Sequence, residues 1–278
     1  MQWLKHIWSA VWRILLFAVL WGALWAPLLY ALGLLRAGGP RSNAIWLAVE
    51  ATGMATILIA AWLMTRFADR RRFVTLGFGR THLLGDTLCG IGLGLAMMAA
   101  CAGLLMLSPW AEFRFERATP ATALLLPVLA VAANSVTQEV LVRGYILQTL
   151  RTRFGAGVAV IVSSLVFVLL HAGALSTDTL VAGLNLFLSG VFLGLAYVLT
   201  GNLWFPIAAH FGWNFLQGPV LGAAVSGRDL GSTRLLDIDP NGPSLMTGGA
   251  FGPEGGLAAT AATLLGIATL WLLYRPRT

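Results

Sequence analysis

Uninterrupted apolar runs of about twenty residues recur along this chain, and they decide its class before any single residue is weighed. A helix needs roughly 20 such residues to cross a bilayer. Inside lipid the backbone must satisfy its own polar groups, which leaves helices and closed barrels as the only spanning structures. The runs fall at roughly 10–35, 43–67, 84–108, 121–150, 156–173, 179–200, 202–219 and 256–274. They do not alternate apolar with polar residues as barrel strands do. Only 10% of the residues are charged and 58% are hydrophobic, with a mean hydropathy of +0.81. An average soluble domain carries about 25% charged residues. The expected fold is therefore all-α: a polytopic transmembrane helix bundle of about eight spans. The first run is too long for the apolar region of a signal peptide and reads as a retained span.

The net charge of +7 comes almost wholly from arginine, with Lys5 the only lysine. The charges sit in short loops between spans, and no basic stripe interleaved with aromatics is present, so no nucleic-acid partner is expected. With both termini cytoplasmic, the inner loops hold Lys5, Arg13, Arg66, Arg70, Arg71, Arg72, Arg80, Arg151, Arg153, Arg275 and Arg277. The outer loops hold Arg36, Arg41, Arg114, Arg117, Arg228 and Arg234. That eleven-to-six bias favours both ends inside. The stretch 220–255, rich in Gly, Pro and Asp, then lies outside. Cys89 and Cys101 are about 18 Å apart along one helix, too far to bridge. The chain divides into an N-terminal pair of spans with a basic loop, 1–70, and a second region, 71–278, whose spans four to seven (121–220) hold the polar clusters. Arginine in place of lysine, with abundant Ala, Leu and Gly, points to a GC-rich bacterial genome and so to a bacterial inner (plasma) membrane.

Charged groups at membrane depth cost a few kcal/mol each and mark function or pairing. Three spans carry them here. TQEVLVRG brings Gln138, Glu139 and Arg143; FVLLH brings Phe167 and His171; HFGWN brings His210 and Asn214. Glu139 and Arg143 share a helix face at i, i+4, as do His210 and Asn214. At 1.5 Å per residue, Glu139, His171, His210 and Asn214 lie about 14–24 Å from the cytoplasmic ends of their spans, within one layer. Each has a plainer reading. Intramembrane charges pair with one another, and His or Asn can be interhelical glue. The matching depth on three spans favours a shared polar pocket fit for acid–base chemistry. His6 and His82 read as loop or interfacial. The tryptophans of the first span, Trp21 and Trp25 among them, include interface anchors.

In this order, and with RGYIL, SS and TGNLW beside them, the three motifs resemble the CPBP (Abi, CAAX-type) intramembrane proteases. That family's pattern is Glu-Glu-x-x-x-Arg, then Phe-x-x-x-His, then His-x-x-x-Asn. RRRFVTLGF, GDTLCGIGLG and GPSLMTGGAFGPEGGL resemble it as well, so the likeness spans roughly 70–275. It implies an endopeptidase acting on a membrane or membrane-proximal peptide. Carried over residue by residue, it makes Glu139, His171, His210 and Asn214 the catalytic set, with Gln138, Arg143 and Phe167 supporting. His171 would help a glutamate activate water, and His210 and Asn214 would steady the oxyanion. No cofactor is expected, since the chain has no His-Glu-x-x-His pair on one helix; if zinc is used, Glu139, His171 and His210 are its ligands.

One position departs from the pattern. The first motif glutamate, the family's usual water activator, is here Gln138. An amide cannot take up a proton at neutral pH. Glu139 has the spacing of the second glutamate, which pairs with Arg143, and Gln138 points about 100° away from it. Three readings stay open: Glu139 has become the base; the protein is a silent scaffold or regulator that binds clients without cutting; or Gln138 positions water while another group accepts the proton.

Overall fold

The computed structural model describes residues 2–36, 42–115, 120–175, 180–230 and 233–274. Of the loop charges above, Arg41, Arg117, Arg275 and Arg277 lie outside those residues. The chain opens with a long helix, α1 (Gln2–Arg36). Next comes α2 (Asn43–Leu63), started by Ser42, whose side chain accepts from the Ile45 amide at 3.2 Å. A capping hydroxyl of this kind satisfies one of the orphan amides of the first turn. The third helix, α3 (Leu83–Met106), leads to a short strand, β1 (Ala111–Phe115). Then α4 (Leu125–Glu139), a π-helical stretch Val140–Leu147 and α5 (Gln148–Leu170) run on from one another. They are followed by α6 (Leu180–Thr200), α7 (Trp204–Phe215), β2 (Leu236–Pro240), the single turn α8 (Ser244–Thr247) and α9 (Leu257–Tyr274).

Among the described residues, six helical segments are long and apolar enough to cross a membrane. The difference from eight runs has two local causes. The fourth and fifth runs form one helical stretch, Thr122–Leu170, interrupted where Gly155 takes φ 83°, ψ 171°. The seventh run forms only the 12-residue α7, prolonged by the π-turn Leu216–Val220. Its Gly218 and Pro219 sit in that turn, and Pro removes an amide from the helical ladder.

The bundle also carries a feature the all-α reading lacks. β1 and β2 pair antiparallel, with Arg114 opposite Asp237 and Glu112 opposite Asp239. Arg114 reaches Glu112 at 3.1 Å and Asp239 at 3.8 Å. The ribbon draws the 220–255 stretch back onto the helices.

Glycine sets the tightest helix pairing. On α3, a side chain at Gly90 would meet the Phe205 carbonyl, and one at Gly94 would run into the Ala209 carbonyl. From the other side, one at Gly212 would lie 2.7 Å from the Ile91 carbonyl. Small residues four apart let backbones approach closely in lipid, where hydrophobic collapse does not drive association. The start of α7 is fixed as firmly. Asn202 accepts from the Trp204 and Phe205 amides at 3.0 and 3.3 Å, and donates to Asp86 on α3 at 2.5 Å. Together these contacts set the rotation of α7, and with it the direction of His210 and Asn214.

Candidate active site

The residues from Glu139 to Leu150 are buried without a break, and the helix becomes π-helical as it passes the motif. Single-turn π segments recur at functional sites because they re-aim side chains. The Glu139–Arg143 pair forms at the onset of that segment. Arg143 Nη1 donates to Glu139 Oε1 at 2.8 Å, and both side chains are fully buried. Arg143 Nη2 donates to the Gly190 carbonyl at 3.1 Å, and its guanidinium lies 4.7 Å from the centre of the Phe167 ring. His210 Nδ1 meets the same Glu139 oxygen at 2.9 Å.

Phe167 ties these groups together. Its ring centre stands 4.7 Å from the His171 ring and 6.0 Å from the His210 ring. The Phe167 carbonyl also binds His171 Nδ1 at 2.8 Å. A carbonyl oxygen can only accept, so Nδ1 of His171 carries a hydrogen, and in the neutral ring Nε2 keeps its lone pair. His171 itself stands just past the last turn of α5, not within the helix.

A cavity of about 680 Å³ opens beside this cluster. Gln138, Phe167, His171, His210 and Asn214 line it, from three helical segments. Glu139 and Arg143 are not among its walls; they stand behind it. The helix turns Gln138 inward and Glu139 towards Arg143 and His210, about the 100° step between neighbours. The cavity side of the motif therefore presents an amide, and the motif carboxylate is engaged elsewhere.

Other walls had no place in the motif reading. Glu50 of α2 accepts from Trp46 Nε1 at 3.3 Å and from Asn134 Nδ2 at 2.9 Å. Asn134 accepts in turn from Gln138 Nε2 at 2.9 Å. Glu254, Ser226 and Arg228 come from the 220–255 stretch, and Trp21, Trp25, Trp46 and Trp213 give one side an aromatic face. Trp21 and Trp25 stack, with ring centres 5.0 Å apart, so they serve the cavity as well as the outer surface. The sequence signal for Glu254 was present in the GPEGG run; Glu50, in a span with no motif, offered only its charge at depth.

The fit to a metal is poor. Among the described residues, no three His, Cys, Asp or Glu side chains are gathered so as to hold an ion. Of the zinc set Glu139, His171 and His210, Glu139 Oε1 is engaged by Arg143 and by His210 Nδ1, and His171 Nδ1 by a carbonyl.

No curated protein matches the chain. A family model does, over residues 120–216, about a third of the sequence. It is described as type II CAAX prenyl endopeptidase Rce1-like. The matched stretch contains all three motifs and four of the helices that frame the cavity, α4 to α7. Residues 120–216 of this membrane protein are accordingly similar to the Rce1-like, CAAX-type endopeptidases.

Proposed function

We propose that the protein is an intramembrane endopeptidase that hydrolyses a peptide bond in a membrane or membrane-proximal substrate. The observation that carries this is the joint presence of Gln138, His171, His210 and Asn214 on the walls of one cavity. The peptide enters that chamber extended, with its scissile carbonyl towards Asn214 and His210. Asn214 donates to the oxyanion, an interaction worth several kcal/mol in a site that excludes bulk water; His210, whose Nδ1 is held by Glu139, joins it when Nε2 also carries a proton. His171 offers an unprotonated Nε2 towards the water. Glu139 and Arg143 act as positioning residues: they hold His210 and keep its ring turned to the cavity. The chain sits in a bacterial plasma membrane with both ends in the cytoplasm, as its loop charges favour.

A second reading has its own observation. The cavity face of the motif carries Gln138, and Glu139 is tied to Arg143 and His210. A scaffold that binds membrane clients without cutting them would look the same there. Membrane peptides profiled by mass spectrometry in cells carrying wild type, Gln138→Glu, Glu139→Gln and His171→Ala decide between the two. A protease gives products in wild type that vanish in His171→Ala. A silent scaffold gives products only in Gln138→Glu. Identical profiles in all four strains would remove both.

A further inference from the structure

The chamber lacks a carboxylate where the first motif would supply one, yet two others line it, Glu50 and Glu254. They are held differently. Both oxygens of Glu50 are engaged, one by Trp46 and the other by Asn134. Its link to Gln138 runs through the Asn134 amide, and amides do not relay protons at neutral pH. Glu50 therefore acts on the site by fixing the Gln138 side chain.

Glu254 is presented by a loop built around it. Asn185 of α6 donates to the carbonyls of Glu254 and Gly256, both at 2.8 Å, and accepts from Thr260 at 2.6 Å. These bonds clamp the loop to the bundle on either side of the carboxylate. Gly252 turns at φ 99°, where a side chain would strike the Ala224 carbonyl, and Gly248 turns at φ 78° against the Gly252 carbonyl. Only glycine accepts such conformations without strain. Across from them, Val225 and Arg228 close a tight turn in which both Ser226 (φ 48°) and Gly227 (φ 71°) are left-handed. A positive φ at serine is held against steric cost. It aims the Ser226 amide and hydroxyl at the same Glu254 oxygen, Oε1. A carboxylate has about four acceptor directions, so the two Ser226 donors and the Gln217 amide leave it one for a water. His210, which also lines the cavity, lies within electrostatic reach of it.

The geometry points to Glu254 as the general base of this chamber, standing in from the loop before α9 for the carboxylate that Gln138 lacks. This rests on the protease reading above. A water held between Gln138 and Glu254 gives its proton to the Glu254 carboxylate. Its oxygen bonds to the scissile carbonyl carbon, and the carbonyl electron pair moves onto oxygen beside Asn214. When the C–N bond breaks, the electron pair goes to nitrogen, and the Glu254 carboxyl returns the proton to the leaving amine. One water is consumed, and an acid and an amine are formed.

The test uses the purified full-length chain in liposomes, with fluorescein-labelled casein and a quenched farnesylated CAAX peptide as probes. Glu254→Gln keeps an oxygen for Ser226 but cannot accept a proton. It lowers kcat on the cleaved probe at least about 100-fold, the lower bound for losing a general base, with the thermal unfolding midpoint unchanged. Adding Gln138→Glu to Glu254→Gln restores at least about tenfold of that loss, because a base then stands at the motif position. Cleavage by Glu254→Gln within twofold of wild type overturns the base assignment and leaves the protease standing. Loss without recovery in the double variant makes Glu254 a loop support and also overturns it. Cleavage by Gln138→Glu alone, with wild type inert, overturns it in favour of the scaffold. Failure of every form on both probes removes the protease reading and this assignment together.

Discussion

Arg143→Leu tests the buried ion pair most directly. The guanidinium is fully buried and makes three contacts: Glu139 at 2.8 Å, the Gly190 carbonyl at 3.1 Å and the Phe167 ring at 4.7 Å. Leucine fills part of the volume and keeps none of the polar contacts. Glu139 is then left as a buried carboxylate still in contact with His210. Breaking a buried pair from one side costs about 3–5 kcal/mol, because the other charge stays desolvated and uncompensated. Removing both charges, in Glu139→Leu with Arg143→Leu, leaves no such charge and costs about 2 kcal/mol or less, within the range for apolar replacement of buried pairs. With about 3 kcal/mol or more for each single and about 2 or less for the double, the coupling between the two positions is at least about 4 kcal/mol. Titration of the protein from dodecylmaltoside into SDS, followed by tryptophan fluorescence, reads all four corners of the cycle. Single variants costing under about 1 kcal/mol, or a double variant equal to the sum of the singles, would refute the idea that this pair is a committed structural unit.

Other expectations follow from the packing and the loop. Gly94→Leu drives α3 away from the Ala209 carbonyl, so α7 shifts and cleavage falls more than tenfold; retained cleavage at wild-type rate counts against that contact as the aligner of His210. Asn202→Ala removes the acceptor for the first amides of α7 and the bond to Asp86, at a cost of about 1–2 kcal/mol by SDS titration. Burial lifts the Glu254 carboxyl above its ordinary range, against the pull of its Ser226 and Gln217 hydrogen bonds and of His210. A base must be ionised to act, so cleavage declines as pH falls through a limb lying above that of a solvent-exposed glutamate. In Gln138→Glu with Glu254→Gln that limb moves; a limb at the same pH in both proteins would assign it to another group.

Much of this molecule could be read from residue types alone. Long uncharged runs gave the helices, because nothing else satisfies a backbone in lipid. The four-residue spacing gave the Glu139–Arg143 contact, because side chains at i and i+4 meet on a helix. Which side of the motif faces the chamber was harder to read. That depends on how α4 packs and on the π-helical stretch at Val140–Leu147, and neither has a period in the sequence. Counting at 1.5 Å per residue put His171 in one layer with Glu139, inside a run read as ending at 173, whereas the helix stops at Leu170 and sets the ring at its end. The 220–255 stretch read as an outer loop, because its Gly and Pro content signals turns and says nothing of where those turns dock. Its docking rests on single long-range partners such as Asn185 and on the β1–β2 ribbon, which no local pattern encodes.

The walls of the chamber come from regions far apart in the chain, and Glu254 follows all the others in order. A ribosome releasing this protein therefore delivers His171 and His210 well before it delivers Glu254. Until that late segment emerges and Asn185 grips it, the half-made chamber has no assembled base. With Glu254 as the base proposed above, the chain stays inert during insertion and becomes competent only once its last helix is seated.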